Sequence, residues 1–262
     1  MKTSLCHADA ESIEVCGSDL VEDLLGQVSF ADMVGLMLFG SLPTEPHRRM
    51  IDALLIVLIE HGLVGPAIAA RLTYHSAPES LQGAVAASLL SAGSRHLGTS
   101  ELCAEMLQEG LAAHPDVPLP ELATSLVRDR LARRDRVHGV GHGFHHGGDP
   151  RADRLLALAD ECGVSGVHCE LIGEISRALA ETHGALRPVN VTGAIAAISS
   201  DMGLDWRLAK SFALIGRCLG TVAHIQEELR EPIAREVGEL VERNAEYVPR
   251  AGSTTGSEAG GG

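Results

Sequence analysis

Between Gly139 and Arg151 the chain reads G-V-G-H-G-F-H-H-G-G-D-P-R, a run that sets imidazoles among glycines and closes on Asp149-Pro150-Arg151. Glycine tolerates positive φ and lets a backbone approach a ligand, proline fixes φ, and a guanidinium offers a planar fork matched to a carboxylate. Such a loop suits an active site, with His142 as the acid-base group and Arg151 as the anion holder. Two other readings fit the same residues. His138, His142, His145 and His146 fall within nine residues, the pattern of a metal-binding histidine tract. A solvated loop with incidental histidines needs no chemistry at all. Spacing alone leaves all three open.

The elements that would position this loop read as helices. Hydrophobic residues make up 45% of the chain but aromatic ones only 3%, so the core is built from Leu, Ile, Val and Ala, which favours helix. Ile51, Leu54, Leu55, Leu58 and Ile59 recur at helical spacing, as do Leu155, Leu156 and Leu158 and then Ile172, Ile175 and Leu179. Strand-like alternation is nearly absent. Prolines at 43, 66, 78, 115, 118, 120, 150 and 188 punctuate these segments. The expectation is ten or more helices joined by short loops in an all-α chain, which at 262 residues forms one domain or two intimately joined lobes. Gly83-Ala84-Val85-Ala86-Ala87-Ser88 reads as a small-residue helix face, made for close packing in a subunit contact or a crowded core. His114 to Pro120, with its three prolines, is the best internal boundary, and 251–262 reads as a disordered Gly/Ser-rich tail.

Charge and cysteine usage narrow the function classes. A net charge of -14 without a Lys/Arg run argues against a nucleic-acid partner, while single arginines can still hold small anions. Six cysteines show no C-x-x-C spacing and the start of the chain shows no apolar leader, so free thiols and a cytoplasmic location are expected. The longest apolar run, near Leu54 to Ile59, is too short to span a bilayer.

Taken together, the pieces resemble the citrate synthase superfamily, in its short citryl-CoA lyase-like branch, from about Thr3 to Tyr247. They are D-L-V-E-D-L-L-G-Q-V-S-F with L-F-G-S-L-P, E-H-G at 60–62, P-E-S-L-Q-G-A-V-A-A leading to His96, the G-x-G-H and D-P-R loop, P-V-N-V-T-G at 188–193, F-A-L-I-G-R-C-L-G at 212–220 and A-H-I-Q-E-E at 223–228. The resemblance implies a helical fold of a large and a small lobe (1–250, small lobe roughly 96–192), without the extra N-terminal helices of the longer synthases. It also implies a homodimer, a coenzyme A thioester as substrate, and no metal.

Family chemistry makes or breaks a carbon-carbon bond between an acyl-CoA α-carbon and a 2-oxo acid, which poses three problems. The thioester oxygen needs a hydrogen-bond donor as it becomes an enolate, and His96 matches that position. The oxygen of the 2-oxo acid gains or loses a proton, and His142 matches the acid-base group. At the α-carbon the family uses an aspartate in an N-V-D pattern, where this chain has Thr192. A threonine hydroxyl can relay or orient water but has no comparable acidity. The resemblance further assigns His61, Arg151 and Arg217 to the carboxylates of the oxo acid; Arg151 follows His142 by nine residues, the family spacing. Asn190 or Thr192 also reads as the cap of the helix that follows. Leu97 stands where the family places glycine, and His145 and His146 where relatives carry basic residues for the CoA phosphates.

Three functions are therefore carried forward: a citryl-CoA lyase-type enzyme with altered proton transfer, a non-catalytic or regulatory paralogue that binds a CoA ester or a citrate-like ligand, and a histidine-dependent metal enzyme built on 138–146.

Overall fold

The first elements are strands. In the computed structural model, which describes residues 1–93, 99–141, 148–184 and 187–248, a small antiparallel meander comprises β1 (Cys6–Ala8), β2 (Ile13–Val15) and β3 (Ser18–Asp19), with Cys6 opposite Val15 and Glu14 opposite Asp19. A two-residue turn, Cys16 at φ 50° and Gly17 at φ 83°, joins β2 to β3 in the left-handed backbone conformation that suits the right-handed twist of paired strands. The all-α expectation holds, and this small meander leaves no mark on the sequence because strands of two or three largely exposed residues cannot display an alternating pattern.

From Leu20 onward the chain is helical. A π-turn (Leu20–Leu24) leads to α1 (Phe30–Phe39), α2 (Glu45–Ile56), α3 (Gly65–Ser76), α4 (Leu81–Leu90), α5 (Thr99–Ala113) and α6 (Leu119–Ala132). There follow α7 (Pro150–Glu161), α8 (Val167–His183), α9 (Val191–Asp201), a 3-10 turn (Trp206–Leu208), α10 (Ser211–Arg230) and α11 (Ala234–Asn244). Local chemistry sets the ends. Ser29 and Asp32 form a reciprocal capping box at α1, and Gly40 closes that helix at φ 79°. Prolines 46, 66, 120 and 150 sit in first turns, where a missing N–H costs nothing. The proline-rich stretch from His114 to Pro120 is the link between α5 and α6.

Two apolar clusters share α9. Val191, Ala194, Ile195 and Ile198 join α1, α2, α7 and Phe212 and Ala213 of α10 in one cluster. Ala196 and Ala197, on the other face, pack with α5, α6 and α8 in the second. Alanine on that face lets α9 lie close against α5. The small-residue face of α4 packs on α3 and α10, with Ala84 and Ser88 buried and Ser88 Oγ 2.8 Å from Thr221 Oγ1. Among the described residues no helix is long and apolar enough to cross a membrane. The 251–262 tail lies outside the described residues.

Candidate active site

Three sequence-distant segments meet at the N-terminus of α9. Asn190 caps that helix: its Oδ1 accepts from the backbone N–H of Thr192 and of Gly193, both at 3.1 Å. The cap therefore falls to Asn190, of the two residues the sequence offers. Its Nδ2 donates to Gly141 O at 2.7 Å, which fixes the amide orientation. Asn190 N donates to Gly139 O at 2.9 Å and Gly141 N to Pro188 O at 2.7 Å, so 139–141 is stitched to 188–190 around a Val140–Val189 bridge. Glycine is required on both sides. Gly139 and Gly141 have φ of 86° and 72°, and a Cβ on Gly193 would lie 2.1 Å from Gly139 O.

Asp149 ties in the third segment. It caps α7, receives Nε and Nη2 of Arg151 on its two oxygens at 2.9 Å each, and accepts Val191 N–H at 3.0 Å. Burial pushes the Asp149 carboxyl up, but the hydrogen bonds from Arg151 and Val191 outweigh it and hold the carboxyl below its usual value. One edge of the Arg151 guanidinium is thus filled by Asp149. The opposite edge, formed by Nη1 and the second Nη2 hydrogen, is left for another acceptor. Beside these segments lies a cavity of about 430 Å³ lined by Thr99, Leu102, Arg136, His138, Asn190 and Thr192. Burial pulls His138 below the ordinary histidine value, so it is a neutral imidazole at neutral pH.

Thr192 donates its hydroxyl proton to Asn190 Oδ1 at 2.7 Å. Its remaining hydrogen-bonding capacity is lone pairs, so any further partner, water included, must be a donor.

A second group forms where α10 crosses the end of α2. A Cβ on Gly216 would lie 2.4 Å from Leu55 O, and one on Gly220 would lie 2.0 Å from Ile59 O, so the two glycines permit the crossing. This brings Arg217 and His224 of α10 to Glu60 and His61. Glu60 Oε1 accepts His61 N–H at 2.8 Å, and Oε2 lies 2.9 Å from His224 Nε2, off the line of an ideal hydrogen bond. Glu60 Oε1 stands 3.7 Å from Arg217 Nη1. Arg217 is 3% exposed, and among the described residues its Nε and Nη1 have no hydrogen-bond acceptor. Burial lowers its pKa, opposed by Glu60. His61 itself is exposed.

Of the residues singled out in the sequence, Arg151 and Thr192 are joined through Asp149, Val191 and Asn190, and His61 and Arg217 meet at Glu60. Among the described residues no side-chain contact links one pair to the other; α2, α7, α9 and α10 share one apolar cluster instead. His96, Leu97, His142, His145 and His146 lie outside the described residues. Sequence reasoning missed the bridging roles of Asp149 and Glu60, although both sit in quoted motifs, and it missed Arg71, which belongs to none.

The model for the citrate synthase C-terminal domain family matches residues 23–237. Citrate synthase of Haloferax volcanii is 28% identical over 221 residues, which cover 81% of this chain and 55% of that protein. The chain thus spans about half the length of the curated relatives it matches. Citryl-CoA lyase from Hydrogenobacter thermophilus is similar along both chains, with a TM-score of 0.85, 36% identity, and coverage of 95% of this chain and 94% of that one. ATP citrate lyase of Methanosaeta concilii, solved with (3S)-citryl-CoA, shares the fold at a TM-score of 0.74 and 19% identity over 96% of this chain and 42% of that one.

Proposed function

The chain belongs to the citrate synthase family, and on that premise we propose that it is a citryl-CoA lyase-type enzyme, cleaving or forming the bond between a short acyl-CoA and a 2-oxo dicarboxylic acid. The observation that carries this reading is its likeness, along nearly the full length of both chains, to a citryl-CoA lyase. The gathering of Thr192, Asn190 and residues 139–141 around one cavity, with Arg151 tied to them through Asp149, supports it. The substrate is a coenzyme A thioester, and no metal takes part. The protein acts in the cytoplasm as a homodimer; exposed Leu90 on α4 and Leu219 and Leu229 on α10 supply apolar surface for the contact. The small lobe spans roughly 96–192.

In this scheme His96 donates to the thioester oxygen, which carries charge as the enolate develops. His142 moves the proton on the oxygen of the oxo acid. Arg217, with two unfilled donors in a buried setting, takes one substrate carboxylate; Arg151, aimed by Asp149, takes another on its free edge. His61 adds a hydrogen bond. Thr192 replaces the family carboxylate, and it can orient a water but not carry the α-proton. Two routes remain for the carbanion: a malonyl-type thioester that loses CO2, leaving its electron pair on the α-carbon, or a substitute base such as histidine or bound water.

The test is to supply citryl-CoA and follow oxaloacetate and acetyl-CoA, the two products of carbon-carbon cleavage, and to incubate acetyl-CoA in deuterated water and follow its mass. Formation of oxaloacetate and acetyl-CoA supports the lyase reading. Fast exchange by the unmodified protein identifies a substitute base, whereas consumption of malonyl-CoA without exchange identifies decarboxylation. The change at 192 also supports a second reading, a paralogue that binds a CoA ester or citrate without turnover. Absence of turnover and exchange, with no gain in Thr192→Asp, would favour that second reading.

A further inference from the structure

We propose that His224 and Arg71 form a tether that holds Glu60 away from Arg217, so that the guanidinium stays open for a substrate carboxylate; this rests on the carboxylate-site reading above. An unpaired buried guanidinium beside a flexible carboxylate is an unstable arrangement, because the two should close into a bidentate pair. Here they do not: Glu60 Oε1 stops 3.7 Å from Arg217 Nη1, and Nε and Nη1 go without an acceptor. Glu60 is 40% exposed at its side chain and has room to move. Something restrains it.

The restraint can be traced atom by atom. Arg71 Nε and Nη2 lie 3.3 and 3.2 Å from His224 Nδ1. A guanidinium only donates, so Nδ1 is the unprotonated nitrogen and Nε2 carries the hydrogen. That nitrogen lies 2.9 Å from Glu60 Oε2, off the line of an ideal hydrogen bond but within range of polar attraction, while the other carboxylate oxygen is occupied by His61 N–H. Arg71 is fixed in turn: Nη1 donates to Glu228 at 2.9 Å, Nη2 pairs with Glu227, and Glu228 also accepts Ile233 and Ala234 N–H at the start of α11. Arg71, His224 and Glu228 are all at least nine-tenths buried. The chain therefore runs from the N-terminus of α11 through α3 and α10 to the loop that carries His61, and Glu60 is its last link. Glu60 is a positioning residue, and a latent competitor for the site it borders.

The test uses the full-length protein and citrate as probe, by calorimetry, with KM and kcat for citryl-CoA measured alongside. His224→Asn keeps an acceptor near the Nδ1 position for Arg71 but removes the arm that reaches Glu60. Freed, Glu60 closes on Arg217, and citrate binding should weaken about tenfold, with KM rising and kcat little changed. Glu60→Gln should bind citrate at least about threefold tighter, since a like charge beside the site is gone. The double variant should recover at least the unmodified affinity. Rescue by Glu60→Gln is the outcome that a merely structural His224 would not produce. Weak binding that persists in the double variant, or unchanged binding in His224→Asn, overturns the tether. If His224→Asn melts out of the folded range, Glu60→Gln alone decides, and unchanged or weaker binding there overturns it. Arg217→Leu separates the two levels: if it binds citrate as well as the unmodified protein does, the carboxylate site itself is wrong and the tether falls with it. If it loses citrate while rescue fails, only the tether falls.

Discussion

Replacing Gly193 with alanine perturbs the candidate site at its tightest point. A Cβ there would sit 2.1 Å from Gly139 O and 2.8 Å from Gly139 Cα, both backbone, so no side chain can swing aside. Opening the oxygen contact from 2.1 Å to the roughly 3.0 Å that real Cβ atoms need moves the 139–141 strand by about 0.9 Å. Three hydrogen bonds cross that seam: Asn190 N to Gly139 O, Gly141 N to Pro188 O, and Asn190 Nδ2 to Gly141 O. At about 1 kcal/mol each, their loss destabilises the fold by about 3 kcal/mol. Because Gly141 leads directly into His142, a shift near 1 Å should also lower kcat/KM for citryl-CoA about a hundredfold. Thermal melts and an assay of oxaloacetate formed from citryl-CoA measure the two effects. Gly173→Ala is the matched control, since a Cβ there meets nothing within 4 Å and α8 should gain about 1 kcal/mol. A Gly193→Ala variant that melts and turns over like the unmodified protein would refute the claim that this seam positions the acid-base loop.

Further outcomes follow from the charged groups. Arg217→Met removes a buried charge with two unfilled donors, so the ligand-free protein should gain about 1 to 3 kcal/mol while citrate binding is lost, a split that melts with and without citrate will read. Arg151→Lys should weaken citrate binding by about 2 kcal/mol or more, because an ammonium cannot hold Asp149 on one edge and a ligand on the other; calorimetry checks this. Asp201 accepts Gly166, His168 and Cys169 N–H and His168 Nδ1, and despite burial these bonds keep its carboxyl below the usual value. A lowered pKa contributes stability above the unfolded-state value and loses it as pH falls through the folded one, so Asp201→Asn should flatten the acid limb of the melting curve below about pH 4 and lower stability at neutral pH.

How much of this was legible depended on what kind of signal each feature leaves. The helices were, because leucine and isoleucine at 51, 54, 55 and 58 must face one side and do. The β1–β3 meander was not, because strands of two or three residues are too short to repeat a two-residue alternation. Arg151 stood out in its glycine-rich loop and Arg217 through the family resemblance, whereas Glu60, His224 and Arg71 matter through contacts that the fold creates, as between Arg71 and His224. Arg71 in the run A-A-R-L-T looks like any helical arginine. Only the fold shows it buried at 2% exposure. Asp149 was readable as a turn residue, but its bond to Val191 N–H, which ties Arg151 to α9, required both ends to be seen together.

Position 192 shows why the chemistry there can change without the fold following. Capping of α9 rests on the Asn190 side chain and on the backbone N–H groups of Thr192 and Gly193, which any residue supplies. The 192 side chain adds only the bond from its hydroxyl to Asn190 Oδ1. An aspartate in its place would meet Asn190 Oδ1 as one acceptor against another, so it would turn away from the cap. In the first turn of α9 a carboxylate is favoured by the helix dipole by about 0.5 kcal/mol, and Asp149 in this seam is already matched by Arg151. Thr192→Asp should for these reasons melt at or slightly above the temperature of the unmodified protein. Its effect on acetyl-CoA exchange and citryl-CoA cleavage then reports proton transfer alone: a gain means that only the base was missing, and a loss means that a substrate carboxylate has to leave through the place where the new charge sits. A variant that unfolds would show instead that the Thr192 hydroxyl, through its 2.7 Å bond to Asn190, holds the cap together.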